Sequence, residues 1–179
     1  MMPYLVDANA VITPLKPPVI YTLQHALGYR SVDDVIAWLQ DWYTRAFASQ
    51  YLLGSEALIV EVTRKKDVPA QFIRRLRDQE VVTILEPTPD TFDHLQKIET
   101  YASHNFEPQH YAAFTNGYDG FYIALAKTYG VSIVTMEAFN LQEYDFGTRR
   151  FKGKVRMPFL AWIFGVSCVP WYHAMLGFS

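Results

Sequence analysis

The sequence predicts an α/β fold, with three layers, α/β/α, around a central and mainly parallel sheet. Two observations carry this expectation. Short apolar runs at Pro3 to Asp7, Val81 to Leu85 and Val131 to Thr135 are separated by longer stretches with helical periodicity. Each run is apolar at successive positions instead of alternating, as strands covered on both faces are. In sheets of that kind ligands bind beyond the carboxyl ends of the strands, where strand order reverses. Residues at the ends of these runs are therefore the first candidates for chemistry.

Taken in order, Tyr4-Leu5-Val6 is a strand that ends on Asp7, and Pro14, Pro17 and Pro18 mark the loop after it. Ser31 is placed as an N-cap with Asp33 and Asp34 in the first turn, and Val35, Ile36, Leu39, Trp42, Tyr43 and Phe47 follow at helical steps. Ser55 opens a second helix with Leu58, Ile59 and Val62 on one face, extending towards Lys66. A third runs from Pro69, with Phe72, Ile73 and Leu76 inward and Arg74, Arg75 and Arg77 outward. Val81 to Leu85 is the second strand. Helices over Asp90 to Ala102, Pro108 to Phe114 and Phe121 to Ala126 come next, the last closed by Gly130. Val131 to Thr135 is the third strand and reaches Glu137. Tyr144 to Lys154 reads as a polar, basic loop, Val155 to Met157 as a short strand, Pro158 to Phe164 as a helix and Val166 to Val169 as a last strand. A helical turn or two spans Trp171 to Leu176.

Composition narrows the class. The chain has 179 residues, half of them hydrophobic, enough for a core without covalent staples. One cysteine, Cys168, excludes an internal disulfide framework and a cysteine zinc knuckle. No apolar run is long enough to cross a membrane and the N-terminus lacks a basic flank, so a soluble, cytoplasmic, single-domain protein is expected. The net charge of −2 points to no particular partner. Aromatic residues make up 16%, which suits a core of large rings or an interface, and their helical spacing favours the core.

The chemistry-bearing pattern is acidic. Asp7 and Glu137 sit at strand ends, Asp119 opens the helix that feeds the Glu137 strand, and Glu61 lies on the helix before Arg64-Lys65-Lys66. Carboxylates gathered at one sheet edge stay ionised together only around a cation. Oxygen ligands select a hard ion, Mg²⁺ or Mn²⁺, which can polarise a phosphodiester and acidify water. Each acid alone also has a plainer role, as a loop cap, a helix cap or a solvated side chain; their combination carries the reading. Paired zinc-binding histidines, a glycine-rich phosphate loop and a nucleophilic serine elbow are absent, because His104 and His110 are off helical register and Gly117-Tyr118-Asp119-Gly120 fits no phosphate loop.

Tyr4-Leu5-Val6-Asp7-Ala8-Asn9 resembles the opening motif of PIN domains, metal-dependent nucleases that include the VapC-type toxins. Gly117 to Ala126 resembles their third motif, and Ser132-Ile133-Val134-Thr135-Met136-Glu137 the strand and acidic end that follow. Lys154 to Pro158 and Phe164 to Cys168 are similar to the ending of an uncharacterised PIN-like branch. The resemblance covers both ends of the chain, while Thr13 to Asn116 matches loosely. It implies one PIN-like domain over residues 1–179 with Asp7, Glu61, Asp119 and Glu137 as catalytic metal ligands. Glu61 is the best match for the helix-borne acid and Glu56 the second. Glu137 stands where many PIN proteins carry aspartate. Asn9 and Thr135 would orient carboxylates or water.

The implied activity is that of a Mg²⁺- or Mn²⁺-dependent endoribonuclease, the toxin of a toxin–antitoxin pair, in which water attacks an RNA phosphodiester in line. The implied partners are an RNA substrate, a cognate antitoxin and a second copy of the chain. Arg64, Lys65, Lys66, Arg149 and Arg150 are the expected RNA contacts, within wider basic bands that include Arg74, Arg75, Arg77, Lys152, Lys154 and Arg156; a solvated face is the alternative for both bands. The competing functional reading is a PIN-like module that binds RNA or a protein without cleaving it.

Overall fold

A computed structural model describes residues 2–178; Met1 and Ser179 lie outside the described residues. The chain begins with β1 (Tyr4–Val6), whose last neighbour, Asp7, caps α1 (Ala8–Ile12). Helices α2 (Val19–Leu27) and α3 (Val32–Ala48) lead to β2 (Leu52–Leu53), then α4 (Glu56–Thr63) and α5 (Val68–Asp78). Next come α6 (Pro89–Asn105), α7 (Pro108–Thr115), α8 (Asp119–Tyr129) and β3 (Ser132–Thr135). A hairpin of β4 (Tyr144–Asp145) and β5 (Arg150–Phe151) is followed by α9 (Met157–Ile163), β6 (Cys168–Pro170) and α10 (Trp171–Gly177).

The central sheet has the order β2-β1-β3-β6 and every pairing in it is parallel. Helices flank it, giving the three-layer α/β/α arrangement. From β1 the chain crosses to β2 on one side, and β3 then pairs on the other. The order therefore reverses between β1 and β3, where Val6 stands opposite Val134. Asp7 N–H donates to Val134 O at 3.0 Å, fixing the carboxyl end of β1 against β3. Leu5, Val6, Ile133 and Val134 are buried at the centre. Each such side chain contributes roughly 1.5–3 kcal/mol by leaving water.

Local chemistry explains most boundaries. Ser31 and Asp34 form a reciprocal capping box at the start of α3, and Ser55 Oγ accepts from Leu58 N–H at the start of α4. Gly130, at φ 67°, ends α8 in the left-handed region open to glycine. On α5, Phe72, Ile73 and Leu76 turn inward while Arg74, Arg75 and Arg77 stay exposed.

Several expectations need correction. Val81 to Leu85 is not a strand: its pairing is a single bridge of Ile84 with Gly54, and the strand beside β1 is Leu52–Leu53. With only two residues, β2 offers the segment little edge to extend along. Tyr144 to Lys154 is not a featureless loop. Tyr144 pairs with Phe151 across a hairpin, and the Phe151 ring packs on Phe106 and Phe159. Val155 to Met157 is not a strand, because Met157 already begins α9 with Pro158 in its first turn, where the missing N–H costs nothing. The last strand begins two residues later than expected, while the loop marked by Pro14, Pro17 and Pro18 is present between α1 and α2. Of the aromatic residues, Trp42, Tyr43, Phe47 and Trp171 are core, but Trp162 and Tyr172 are exposed.

One buried polar chain ties the C-terminal helix to the start of the molecule. Trp171 Nε1–H donates to Tyr43 Oη at 2.6 Å, and the Tyr43 hydroxyl donates to Ala10 O on α1. Tyr43→Phe strands a buried N–H and a buried carbonyl at once, so a loss of about 2–4 kcal/mol is expected. Urea unfolding checks it: the midpoint should fall with the slope unchanged.

Candidate functional site

Asp7 occupies the switch point between β1 and β3 and is 2% exposed. Its Oδ1 accepts from Asn9 N–H at 3.3 Å and its Oδ2 from Thr135 Oγ1 at 2.8 Å. Burial pushes its carboxyl up to about 6; the two hydrogen bonds oppose the rise and the charges of Glu61 and Glu137 add to it. Thr135, the last residue of β3, also accepts from Glu137 N–H at 3.1 Å. One hydroxyl thus links the two strand-end acids.

Glu61 lies on α4, six residues beyond the Ser55 cap, and its Oε2 accepts from Tyr122 Oη at 3.0 Å. Burial raises its carboxyl, against the pull of Tyr122 and Arg64. Asp119 is the first residue of α8, whose cap position is Tyr118, so its carboxylate is not the helix cap. Burial, then Glu137, Asp7 and Glu61, push it up to about 7. Glu137 Oε2 is buried and has no hydrogen-bond partner. These acids, from four distant parts of the chain, therefore act on one another electrostatically at the carboxyl edge of the sheet.

Among the described residues no three Asp, Glu, His or Cys side chains stand close enough to hold one ion together. The arrangement does not fit a closed cage of protein ligands. It does fit a hydrated hard cation, since Mg²⁺ keeps several waters and takes only one or two carboxylates directly. The orphaned Glu137 Oε2 and the mutual repulsion at Asp119 are the features such a charge would relieve.

Glu56 is elsewhere, in an exposed ion pair with Arg77 at 3.1 Å, which separates it from Glu61. Asn9 reaches Asp7 through its backbone N–H, and its side chain is exposed, so the expected orienting role falls to the main chain. Arg64 lies over the Tyr118 ring at 5.6 Å, next to Asp119 in sequence. Lys65 and Lys66 are exposed in the turn after α4, and Arg149 and Arg150 are on the hairpin.

Two recesses meet at Glu137. A cleft of about 260 Å³ is lined by His110, Phe114, Asp119, Glu137, Lys154 and Arg156, among others. Another of about 320 Å³ is lined by Thr135, Glu137, Phe139, Trp171 and Tyr172, with their neighbours. Two larger recesses of about 510 Å³ touch none of the four acids. Sequence reasoning missed Tyr122 and His110 as neighbours of the acids. Tyr122 is signalled by its position three residues after Asp119, on the same helical face; nothing in the sequence signals His110. Cys168, on the strand beside β3, has its thiol pushed up to about 12 by burial, with Asp7, Glu137 and Asp119 adding to it, so it carries no thiolate for nucleophilic chemistry.

The family model described as "Domain of unknown function (DUF4411)" matches residues 4–176. No curated protein matches the chain. Two solved structures show a partial likeness to the chain. The DNA-bound VapBC of Salmonella typhimurium has a TM-score of 0.48 and 16% identity, over 96% of this chain and 99% of that one. FitAcB of Neisseria gonorrhoeae has a TM-score of 0.44 and 17% identity, over 95% and 99%.

Proposed function

The chain belongs to the family of that matching model, DUF4411, and from the carboxylates at its sheet edge we propose that it is a metal-dependent endoribonuclease built as one PIN-like domain. The observation that supports this most is the convergence of Asp7, Glu61, Asp119 and Glu137, with Asp119 under the repulsion of the other three. The motif resemblance to VapC-type toxins supports a toxin role, restrained by an antitoxin.

Asp7, Glu61, Asp119 and Glu137 would hold Mg²⁺ or Mn²⁺, some directly and others through water. When bound, the ion supplies Lewis acidity towards a phosphate and towards water. The chain's own residues do the positioning. Thr135 Oγ1 holds Asp7 Oδ2, and Tyr122 Oη holds Glu61 Oε2. Glu137 Oε2, with no donor of its own, is the oxygen left to face the ion or a water held by it.

The test is RNA cleavage by the purified full chain with Mg²⁺, with Mn²⁺ and with EDTA. Cleavage only with metal supports the reading; RNA that is bound but left intact with both ions would replace it with a binding module. Within it, Tyr122→Phe keeps the ring and removes the hydroxyl from Glu61. A roughly 10–100-fold loss of cleavage in a chain that remains folded is expected, as for partners that orient metal-site carboxylates.

A further inference from the structure

Resting on the nuclease reading, we propose that Lys154 and Arg156 form a clamp for a backbone phosphate of single-stranded RNA, on the wall of the acidic cleft. The clamp precedes α9, in a segment whose backbone Gln142 holds in place.

Lys154 and Arg156 flank Val155, which is buried. In extended backbone, residues two apart project to the same side. Both line the cleft that is also lined by Asp119 and Glu137. Neither cation is in a salt bridge among the described residues, and both are exposed. Of the other exposed basic groups, Arg45 and Arg77 are each committed to a carboxylate and Lys152 is tied to Glu143, while Lys65, Lys66 and Arg149 are in no salt bridge among the described residues but do not line this cleft.

The segment is pinned by one side chain. Gln142 Nε2 donates to Lys152 O at 3.3 Å and to Lys154 O at 2.7 Å, and Gln142 Oε1 accepts from Arg156 N–H at 3.3 Å. Gln142 is thus a positioning residue: it holds the backbone on both sides of Val155 and leaves the two cationic side chains free. An anionic strand entering an acidic cleft meets repulsion, and two cations carried on a held backbone at its wall offset that. At about 260 Å³ the cleft suits one phosphate with its sugar, not a duplex.

The experiment measures binding of a short labelled single-stranded RNA to the full chain, with Ca²⁺ in place of Mg²⁺, across a series of KCl concentrations. Cleavage with Mg²⁺ is followed in parallel. Lys154→Ala/Arg156→Ala is expected to weaken binding at least about tenfold and to flatten the dependence of log K on log salt by about 0.7, the contribution of one single-strand phosphate contact. Lys154→Arg/Arg156→Lys should restore the slope. Gln142→Ala, which keeps both charges, should weaken binding a fewfold with the slope retained. Arg30→Ala/Lys97→Ala, at positions that do not line the cleft, should change neither quantity. Wild-type affinity and slope in Lys154→Ala/Arg156→Ala would overturn the clamp, as would a wild-type chain that binds no RNA. A wild-type chain that cleaves while the double variant keeps its slope defeats the clamp and leaves the nuclease reading standing. A chain that binds RNA with the expected loss of slope but never cleaves does the reverse.

Discussion

Asp119→Asn is expected to abolish metal-dependent RNA cleavage and at the same time make the metal-free chain harder to unfold at neutral pH. The Asp119 carboxylate is partly buried and lies in the repulsive field of Glu137, Asp7 and Glu61. Asparagine keeps its shape and removes the charge, so the metal-free fold gains. The same change removes an anionic oxygen from the ion's surroundings. An ion that stabilises a transition state by several kcal/mol then contributes little, which corresponds to a loss on the order of a thousandfold. Asp7→Asn should lose activity to a similar degree with a smaller gain in stability. Both oxygens of Asp7 already accept hydrogen bonds, and an amide replaces one of those acceptors with a donor facing a donor. Single-turnover cleavage and thermal unfolding of the two variants, side by side, check both halves. A stable Asp119→Asn chain with undiminished, metal-dependent cleavage would rule Asp119 out of the site.

The second large effect is a stability that falls as pH rises. Asp7 goes from an ordinary 3.8 to about 6 on folding, and Asp119 from 3.8 to about 7. The folded chain therefore retains protons that the unfolded chain releases. Its stability from these groups is fullest near and below pH 3.8 and is lost as pH climbs through 6 and 7. The rise at Asp7 alone corresponds to about 3 kcal/mol. In EDTA the chain should unfold at a higher temperature at pH 5 than at pH 7.5. Adding Mg²⁺ at pH 7.5 should recover about 2.7 kcal/mol once its concentration reaches about 100 times the dissociation constant. A melting temperature that is flat or rising between pH 5 and 7.5, with no response to Mg²⁺, would show that the acids are not strained together.

What could be read from the sequence was local. β1 and β3 announce themselves as unbroken apolar runs ending in acids, and Ser31 and Ser55 announce α3 and α4 by their capping chemistry. The parallel sheet follows from the alternation of such elements. What could not be read depends on partners far along the chain. Leu52–Leu53 is a strand because Tyr4 and Leu5 lie beside it, not because two leucines favour extension. The hairpin of Tyr144 and Phe151 depends on Phe106 and Phe159 to bury its rings. Position and resemblance single out Asp7, Glu61, Asp119 and Glu137 as candidates, and in the fold Asp7 and Asp119 feel the charges of the others. The hydroxyl of Tyr122 stands out in an apolar helix only by its spacing from Asp119. In the sequence, Lys154 and Arg156 are two cations in a long basic band. Only the fold, with Gln142 gripping their backbone, sets those two beside Asp119 and Glu137.

The most direct measurement is Mn²⁺ binding by electron paramagnetic resonance, on the wild-type chain and on Asp7→Asn/Asp119→Asn. A saturable loss of the free-ion signal with wild type, abolished in the double variant while that variant remains folded, is the expected result. Equal Mn²⁺ binding by the two proteins, or none by either, would contradict a shared divalent ion at the end of β1 and β3.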